Sequence, residues 1–268
     1  MLVDFHSHTW ESDGSLSPAA LCAFMRERSV CVFSITDHDT LGAYREPLDT
    51  GGARVVTGIE INTTWDDGEV HVLGYRLPLG DSALSRVLEA NRAARRVRIA
   101  RIVDLLRGAG HELTLEDVHA HAKEGASLGR PHVGKALVSL GIAPDIETAF
   151  RKFLRRGTPG YVPSTHITPY EAIDVILESG GIPVLAHPGR LRDYAMIGTL
   201  AERGLRGLEV FYPTHEAGQI QYFRDRAKQY GLLMTAGADF HDIRYHRRGV
   251  GMEVDEADIR PFLRTVER

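Results

Sequence analysis

Four short apolar runs in this chain each end at once in a polar cluster carrying histidine or aspartate, and that repetition narrows the folds open to it. Leu2-Val3-Asp4-Phe5 leads into His6-Ser7-His8, with Ser12-Asp13-Gly14 just beyond. Val30 to Ile35 ends in Thr36-Asp37-His38-Asp39, and Ile182 to Ala186 in His187-Pro188-Gly189-Arg190. Leu232 to Ala236 ends in Gly237-Ala238-Asp239-Phe240-His241. Such runs read as buried strands. Residues two apart share one side of a strand, so His6 and His8 aim both imidazoles at one point past a strand end. Ligands gather at the carboxyl ends of strands in α/β folds.

Helical patterns separate the runs. Ser17-Pro18 supplies a hydroxyl N-cap and a first-turn proline, followed by inward positions Leu21, Phe24 and Met25. Thr168-Pro169-Tyr170-Glu171 is a capping box whose helix runs to Ser179. Gly207 to Phe211 predicts a further strand, His215 to Tyr230 a helix, and Asp255 to Arg268 a closing helix. Val55 to Ile61 predicts a strand carrying Glu60, an acid that is costly to bury unless paired or bound to a cation. Asp66-Asp67-Gly68 turns the chain back into Glu69 to Tyr75, which returns His71 beside Glu60.

From 81 to 159 the strand pattern stops. Ile99, Ile102, Val103 and Leu106 follow helical spacing, and shorter helices are expected over Thr114 to Lys123, Pro131 to Leu140 and Ile146 to Leu154. This reads as a helical insertion between two parts of one body, 1–80 and 160–268. Its first helix also carries Arg92, Arg95, Arg96, Arg98, Arg101 and Arg107. An RNA-tracking role is open to it. With Glu89 and Asp104 beside them, a solvated helix face is the preferred reading.

The net charge of −4 gives no global pull toward nucleic acid or acidic membranes. No apolar run reaches membrane-spanning length, and no signal peptide is expected. Cys22 and Cys31 both read as core thiols, consistent with a reducing cytoplasm. No obligate protein partner is indicated.

The candidate metal ligands are therefore His6, His8, Asp13, His38, Glu60, His71, His187, Asp239 and His241. Mixed imidazole and carboxylate donors suit manganese, iron or zinc. Nine exceed the four of a closed zinc site, so two or three divalent ions sharing ligands is the expected count.

In order and spacing, these pieces resemble the PHP family of metal-dependent phosphoesterases (polymerase and histidinol phosphatase). The matching segments are Asp4-Phe5-His6-Ser7-His8-Thr9, Ser12-Asp13-Gly14, Thr36-Asp37-His38-Asp39, Gly58-Ile59-Glu60, Ala186-His187-Pro188-Gly189 and Asp239-Phe240-His241. The resemblance implies a distorted seven-stranded β/α barrel with metals at the strand ends. It implies one ion on His6, His8, Glu60 and Asp239, and a second on Asp13, His38 and His241. A third would lie on His71 and His187 with Glu60 bridging. Some relatives have histidine at the position of Asp13, and the harder aspartate favours manganese or iron over zinc.

Gly129-Arg130-Pro131-His132-Val133 and Gly157-Thr158-Pro159-Gly160-Tyr161-Val162 resemble segments of a branch that acts on nucleotides. That branch removes phosphate from nucleoside monophosphates or 3′,5′-bisphosphates, or degrades short 5′-phosphorylated RNA. The resemblance implies such an activity, with hydroxide generated at the metals attacking phosphorus. Histidinol-phosphate phosphatase is the alternative enzyme, and a non-catalytic accessory module the alternative of another class. Arg130, at a helix start, and Arg190, three residues after His187, are expected to hold phosphate. His132 is a further substrate contact. His215 is expected to protonate the leaving group or contact phosphate, with a helix cap as its alternative. Asp4, Asp37 and Asp39 read as carboxylates that orient imidazoles. His111, His119, His121, His166 and His246 have no assigned role.

Overall fold

In the computed structural model, residues 1–66, 68–80, 82–164, 167–244 and 249–267 are described; Asp67, His166 and His246 lie outside them. The chain begins with β1 (Leu2–Asp4), α1 (Pro18–Glu27), β2 (Val32–Phe33), β3 (Arg54–Val55), β4 (Gly58–Trp65) and β5 (Gly68–Tyr75). Next come helices α2 (Ala83–Gly108), α3 (Leu115–His119), α4 (Arg130–Ser139) and α5 (Ile146–Ala149), the last widening into a π-helical turn over Phe150–Leu154. The alternation resumes with α6 (Pro169–Glu178), β6 (Ile182–Leu185), α7 (Met196–Arg203), β7 (Gly207–Phe211), α8 (Ala217–Tyr230), β8 (Leu233–Ala236), β9 (Met252–Glu253) and α9 (Glu256–Val266). Among the described residues, no helix is long and apolar enough to cross a membrane.

The strands form two sheets, ordered β3-β2-β1-β9 and β4-β5-β6-β7-β8. Two isolated parallel bridges link the sheets, Ser7 with Phe240 and His38 with Glu60, and both fall on segments that carry candidate ligands. The strand expected over Val55 to Ile61 is broken: β3 pairs with β2, and the chain then changes sheet to enter β4. A short strand before α9, β9, was not foreseen; it pairs antiparallel with β1.

The largest core lies between strands and helices, with Phe5, Tyr75 and Phe262 in mutual edge-to-face contact at its base. Ile102, Leu106, Val133, Leu137 and Leu154 form a separate apolar cluster within the helical stretch. Each such buried aliphatic side chain contributes roughly 1.5–3 kcal/mol, so these helices carry a core of their own. Side-chain and main-chain contacts fix them to the strand-end loops. Lys123 pairs with Glu11, the N–H of Ser127 bonds the Glu11 carbonyl, Lys135 bonds the Asp13 carbonyl, and Arg95 pairs with Asp39. Cys22 is buried as expected, but Cys31 is exposed because it precedes β2 at the surface.

Candidate metal centre and substrate pocket

The segment after β1 is gripped from both sides. The N–H of His8 bonds the Phe240 carbonyl and that of Asp239 bonds the His6 carbonyl, each at 2.8 Å, while the N–H of Thr36 bonds the Ser7 carbonyl at 2.8 Å. The loops after β1, β2 and β8 are thereby laced together. Asp39, His187 and Asp239 adopt positive φ (53°, 28° and 52°), a sparsely populated region for such residues that tends to occur at functional sites.

Nε2 of His6 lies 3.2 Å from Oε2 of Glu60 and 3.3 Å from Oδ1 of Asp239. Nε2 of His8 lies 3.2 Å from each of the same two oxygens. Around an ion with bonds of about 2.1 Å, adjacent ligand atoms stand roughly 3.0–3.4 Å apart in octahedral or tetrahedral geometry. These four atoms therefore have the spacing of a coordination shell. His6 Nε2, both nitrogens of His8 and Glu60 Oε2 are buried, yet form no hydrogen bond of acceptable geometry. Lone pairs that converge without a shared proton fit a cation, and the donor set suits a divalent one.

A second group, Asp13, His38 and His241, gathers as expected and also includes His8. Nε2 of His241 is 3.3 Å from Oδ1 of Asp13, and Nε2 of His38 is 3.8 Å from Oδ2. The third group differs from expectation. It joins Glu60 and His71 with His38. His187 is not in that group, but Oε1 of Glu60 lies between the two expected ligands, 2.8 Å from Nδ1 of His71 and 3.1 Å from Nε2 of His187.

Electrostatics favours positive charge here. Burial alone would lower the pKa of His6, but the charges of Glu209, Glu60 and Asp239 raise it well above the usual imidazole range. Burial opposes protonation of His8 too, yet contacts with Asp239 and Glu60 lift it to about 10. Burial would raise the carboxyls of Asp13, Glu60 and Asp239, and the surrounding imidazoles hold all three well below the usual carboxylate range. A divalent ion can supply the same charge in place of those protons.

The carboxylates expected to orient imidazoles do other work. Asp37 accepts from the Thr9 N–H and from the hydroxyls of Thr9 and Ser12. Asp4 accepts backbone N–H groups of His6, Ala238 and Gly251, and Asp39 binds Arg95. The residue that does orient an imidazole, Glu209, was missed. Fully buried on β7, it accepts from His6 Nδ1 at 3.0 Å and from the His187 N–H at 2.7 Å. It is a lone acid within the apolar run Gly207 to Phe211, the same signal that marked Glu60. Gly237 leaves room for this pair, since a Cβ there would stand 2.2 Å from His6 Cβ and 2.6 Å from Glu209 Oε1.

Beside the ligands opens a cavity of about 150 Å3. Arg130 and Arg190 line it, as expected of phosphate-binding residues. Arg130 is held by Glu69. Arg190 bonds the Tyr212 hydroxyl, which donates to Oδ2 of Asp239 at 2.8 Å.

The two histidines assigned to substrate do not line the cavity. His132 is buried, and its Nδ1 accepts the Gly129 N–H at 3.0 Å, closing the start of α4. His215 uses both nitrogens on main chain. Nδ1 donates to the Val210 carbonyl at 2.9 Å, and Nε2 accepts the Gly189 N–H at 3.2 Å. Neither nitrogen is left to move a proton, so the general-acid expectation gives way to one of bracing the His187–Arg190 loop. The solvated reading of the arginine-rich helix also needs correction. Arg95 and Arg98 are buried and line the cavity, bound to Asp39 and Glu69 respectively.

No family model matches the chain. Individual proteins do. The 5′-3′ exoribonuclease Rnm of Escherichia coli K12 is 34% identical over 251 residues, 90% of this chain and 85% of that protein. The 3′,5′-nucleoside bisphosphate phosphatase of Chromobacterium violaceum is 31% identical over 277 residues, 99% of this chain and 96% of that protein. A Bifidobacterium adolescentis structure assigned as a metal-dependent phosphoesterase superposes with a TM-score of 0.87 at 29% identity, covering 98% and 95% of the two chains. With the strand-end donors gathered as that likeness requires, the chain belongs to the PHP family of metal-dependent phosphoesterases.

Proposed function

We propose that this chain hydrolyses phosphate esters of nucleotides: nucleoside 3′,5′-bisphosphates, nucleoside monophosphates or short 5′-phosphorylated RNA. The observation that carries the reading is the cavity itself. Its lining brings the carboxylates of Asp13, Glu60, Glu69 and Asp239 together with the guanidinium groups of Arg95, Arg98, Arg130 and Arg190. A ligand that satisfies both sets carries concentrated negative charge and binds metal. The E. coli relative is named for RNA and the C. violaceum relative for a nucleoside bisphosphate, which supports the substrate class.

His6, His8, Glu60 and Asp239 would hold one ion, and Asp13, His38 and His241, with His8 beside them, a second. His71 and His187, through Glu60, would contribute to a third. Manganese is the favoured metal, given the hard aspartate at position 13, with iron or zinc as alternatives. Such ions supply Lewis-acid charge to phosphoryl oxygens and lower the pKa of a coordinated water.

The protein's own groups arrange the rest. Glu209 accepts a hydrogen bond from Nδ1–H of His6, which leaves the Nε2 lone pair facing Glu60 and Asp239. Tyr212 holds Asp239 by one oxygen and Arg190 by the hydroxyl. Arg190, whose side chain is 58% exposed, stands at the mouth, where it can meet phosphate first. We further read the two inter-sheet bridges as completing a distorted seven-stranded barrel from β1, β2 and β4–β8. Residues 81–159 form the insertion that covers one side of the site. A cytoplasmic setting suits free Cys22 and Cys31.

The test is turnover by manganese-loaded protein on a nucleoside 3′,5′-bisphosphate, AMP, a short 5′-phosphorylated RNA and histidinol phosphate. Hydrolysis of one or more of the first three is expected. Activity on histidinol phosphate alone would replace the nucleotide reading, and no activity on any of them would favour the accessory module.

A further inference from the structure

The inward face of α2 is basic, and one of its arginines has a donor to spare. Arg95 is 6% exposed. Its Nε donates to Oδ2 of Asp39 at 2.7 Å, and its Nη1 to the Leu128 carbonyl at 3.0 Å. Asp39 accepts in turn from the Asn62 N–H at 3.2 Å and the Asn91 side-chain amide at 2.8 Å, so the anchor of the guanidinium is itself fixed. Nη2 is left buried and without a hydrogen-bond partner, on a residue that lines the same cavity as Asp13, Glu60 and Asp239. Leaving a charged donor unsatisfied costs about 1–3 kcal/mol or more, which a bound anion would recover. By contrast, Arg98 and Arg130 are both engaged by Glu69.

The chain also leaves room beside this guanidinium, next to Nη1. Gly129 caps α4 with φ −145°, an extended conformation open to any residue, so its backbone does not demand glycine. Space does. A Cβ on Gly129 would stand 3.3 Å from Arg95 Nη1, 3.7 Å from Asp13 Oδ2 and 3.2 Å from Pro131 Cδ. The bare Cα thus lies between the guanidinium and a carboxylate that faces the proposed metals. The N-terminus of a ten-residue helix, where anions are favoured, starts at the same place.

We infer that Arg95 and Gly129 form a seat for a phosphate group of the substrate, at the Asp13 side of the metal centre. Arg95 donates to the phosphoryl oxygens, and Gly129 keeps the seat open. Asp39 is the positioning residue that holds Arg95 in place. This rests on the phosphoesterase reading above and extends it to a residue that the sequence had put on a solvated face.

The experiment uses manganese-loaded wild type, Arg95→Ala, Arg95→Lys and Gly129→Ala. Metal content, the dissociation constant for inorganic phosphate by calorimetry, and kcat and KM on the best nucleotide are measured for each. Arg95→Ala and Gly129→Ala are expected to keep their metal and bind phosphate at least tenfold more weakly, with KM rising in parallel. Arg95→Lys should fall between them and wild type. If Arg95→Ala does not fold, Gly129→Ala decides, because it leaves every charge in place. Phosphate affinity within twofold of wild type in the folded variants would overturn the seat. So would loss of metal along with affinity, which would assign Arg95 to building the metal centre instead. A wild type inactive on nucleotides but showing Arg95-dependent phosphate binding would sink the substrate reading and leave the seat standing. An active wild type with unaltered variants would do the reverse.

Discussion

Glu209 accepts a hydrogen bond from Nδ1 of His6 at 3.0 Å, across 203 positions of sequence and with both side chains fully buried. The bond fixes which imidazole nitrogen faces the other ligands. Glu209→Gln keeps the volume but cannot accept from both His6 and the His187 N–H with the same strength. Metal affinity is expected to fall by roughly 10–100-fold, as for other outer partners of ligating histidines. Metal content after dialysis against a graded chelator measures it, and unchanged retention would deny Glu209 this role.

His215→Ala separates a brace from an acid. Loss of two main-chain hydrogen bonds should cost about 1–3 kcal/mol of stability. The shape of the pH–kcat profile should stay that of wild type. Disappearance of its basic limb in the variant would restore His215 as the proton donor.

His132 makes a pH-dependent contribution whose sign follows from its burial. Burial lowers its pKa to about 4, against 6.5 for the exposed group. Between those values the folded state binds fewer protons than the unfolded one. The contribution is therefore full above about pH 6.5 and is lost as pH falls toward about 4, on the order of 3 kcal/mol in total. His132→Asn retains an oxygen for the Gly129 N–H and does not titrate. Urea midpoints of chelator-treated protein at about pH 7 and pH 5 should fall further for wild type than for the variant, and equal slopes would contradict the assignment.

Asp39→Asn tests what that carboxylate orients. Asparagine tolerates the positive φ of Asp39, so the backbone should hold. Removing the charge strands Arg95, and breaking a buried pair of this kind costs about 3–5 kcal/mol. A lower melting temperature and a raised KM are expected, with metal content unchanged. Metal loss at normal KM would return Asp39 to the imidazoles.

The strand-end ligands were legible because their signal is local. A short apolar run, a polar cluster and an alternation of two put His6 and His8 on one side, and the hairpin register that sets Asn62 opposite His71 brought His71 to Glu60. Polarity turned inward from a helix had no such signal. Arg95 and Arg98 look in sequence like Arg92, Arg96 and Arg101, and only partners 56 and 29 positions away, Asp39 and Glu69, distinguish them. His215 was misread for the same reason. Its proximity to a strand end was correct, but the carbonyl and N–H that occupy it become visible only once β7 and the His187–Arg190 loop are packed together. Glu209 could have been found by the argument that found Glu60.

The bridge between Ser7 and Phe240 has a consequence for how the protein is made. It seats Asp239 and His241 against His6 and His8, so a nascent chain that has emerged only as far as Glu60 still lacks His71, His187, Asp239 and His241. A metal held by the complete set would meet a fold that is almost finished, and its identity would then be set by the pool encountered after synthesis of this segment rather than during it.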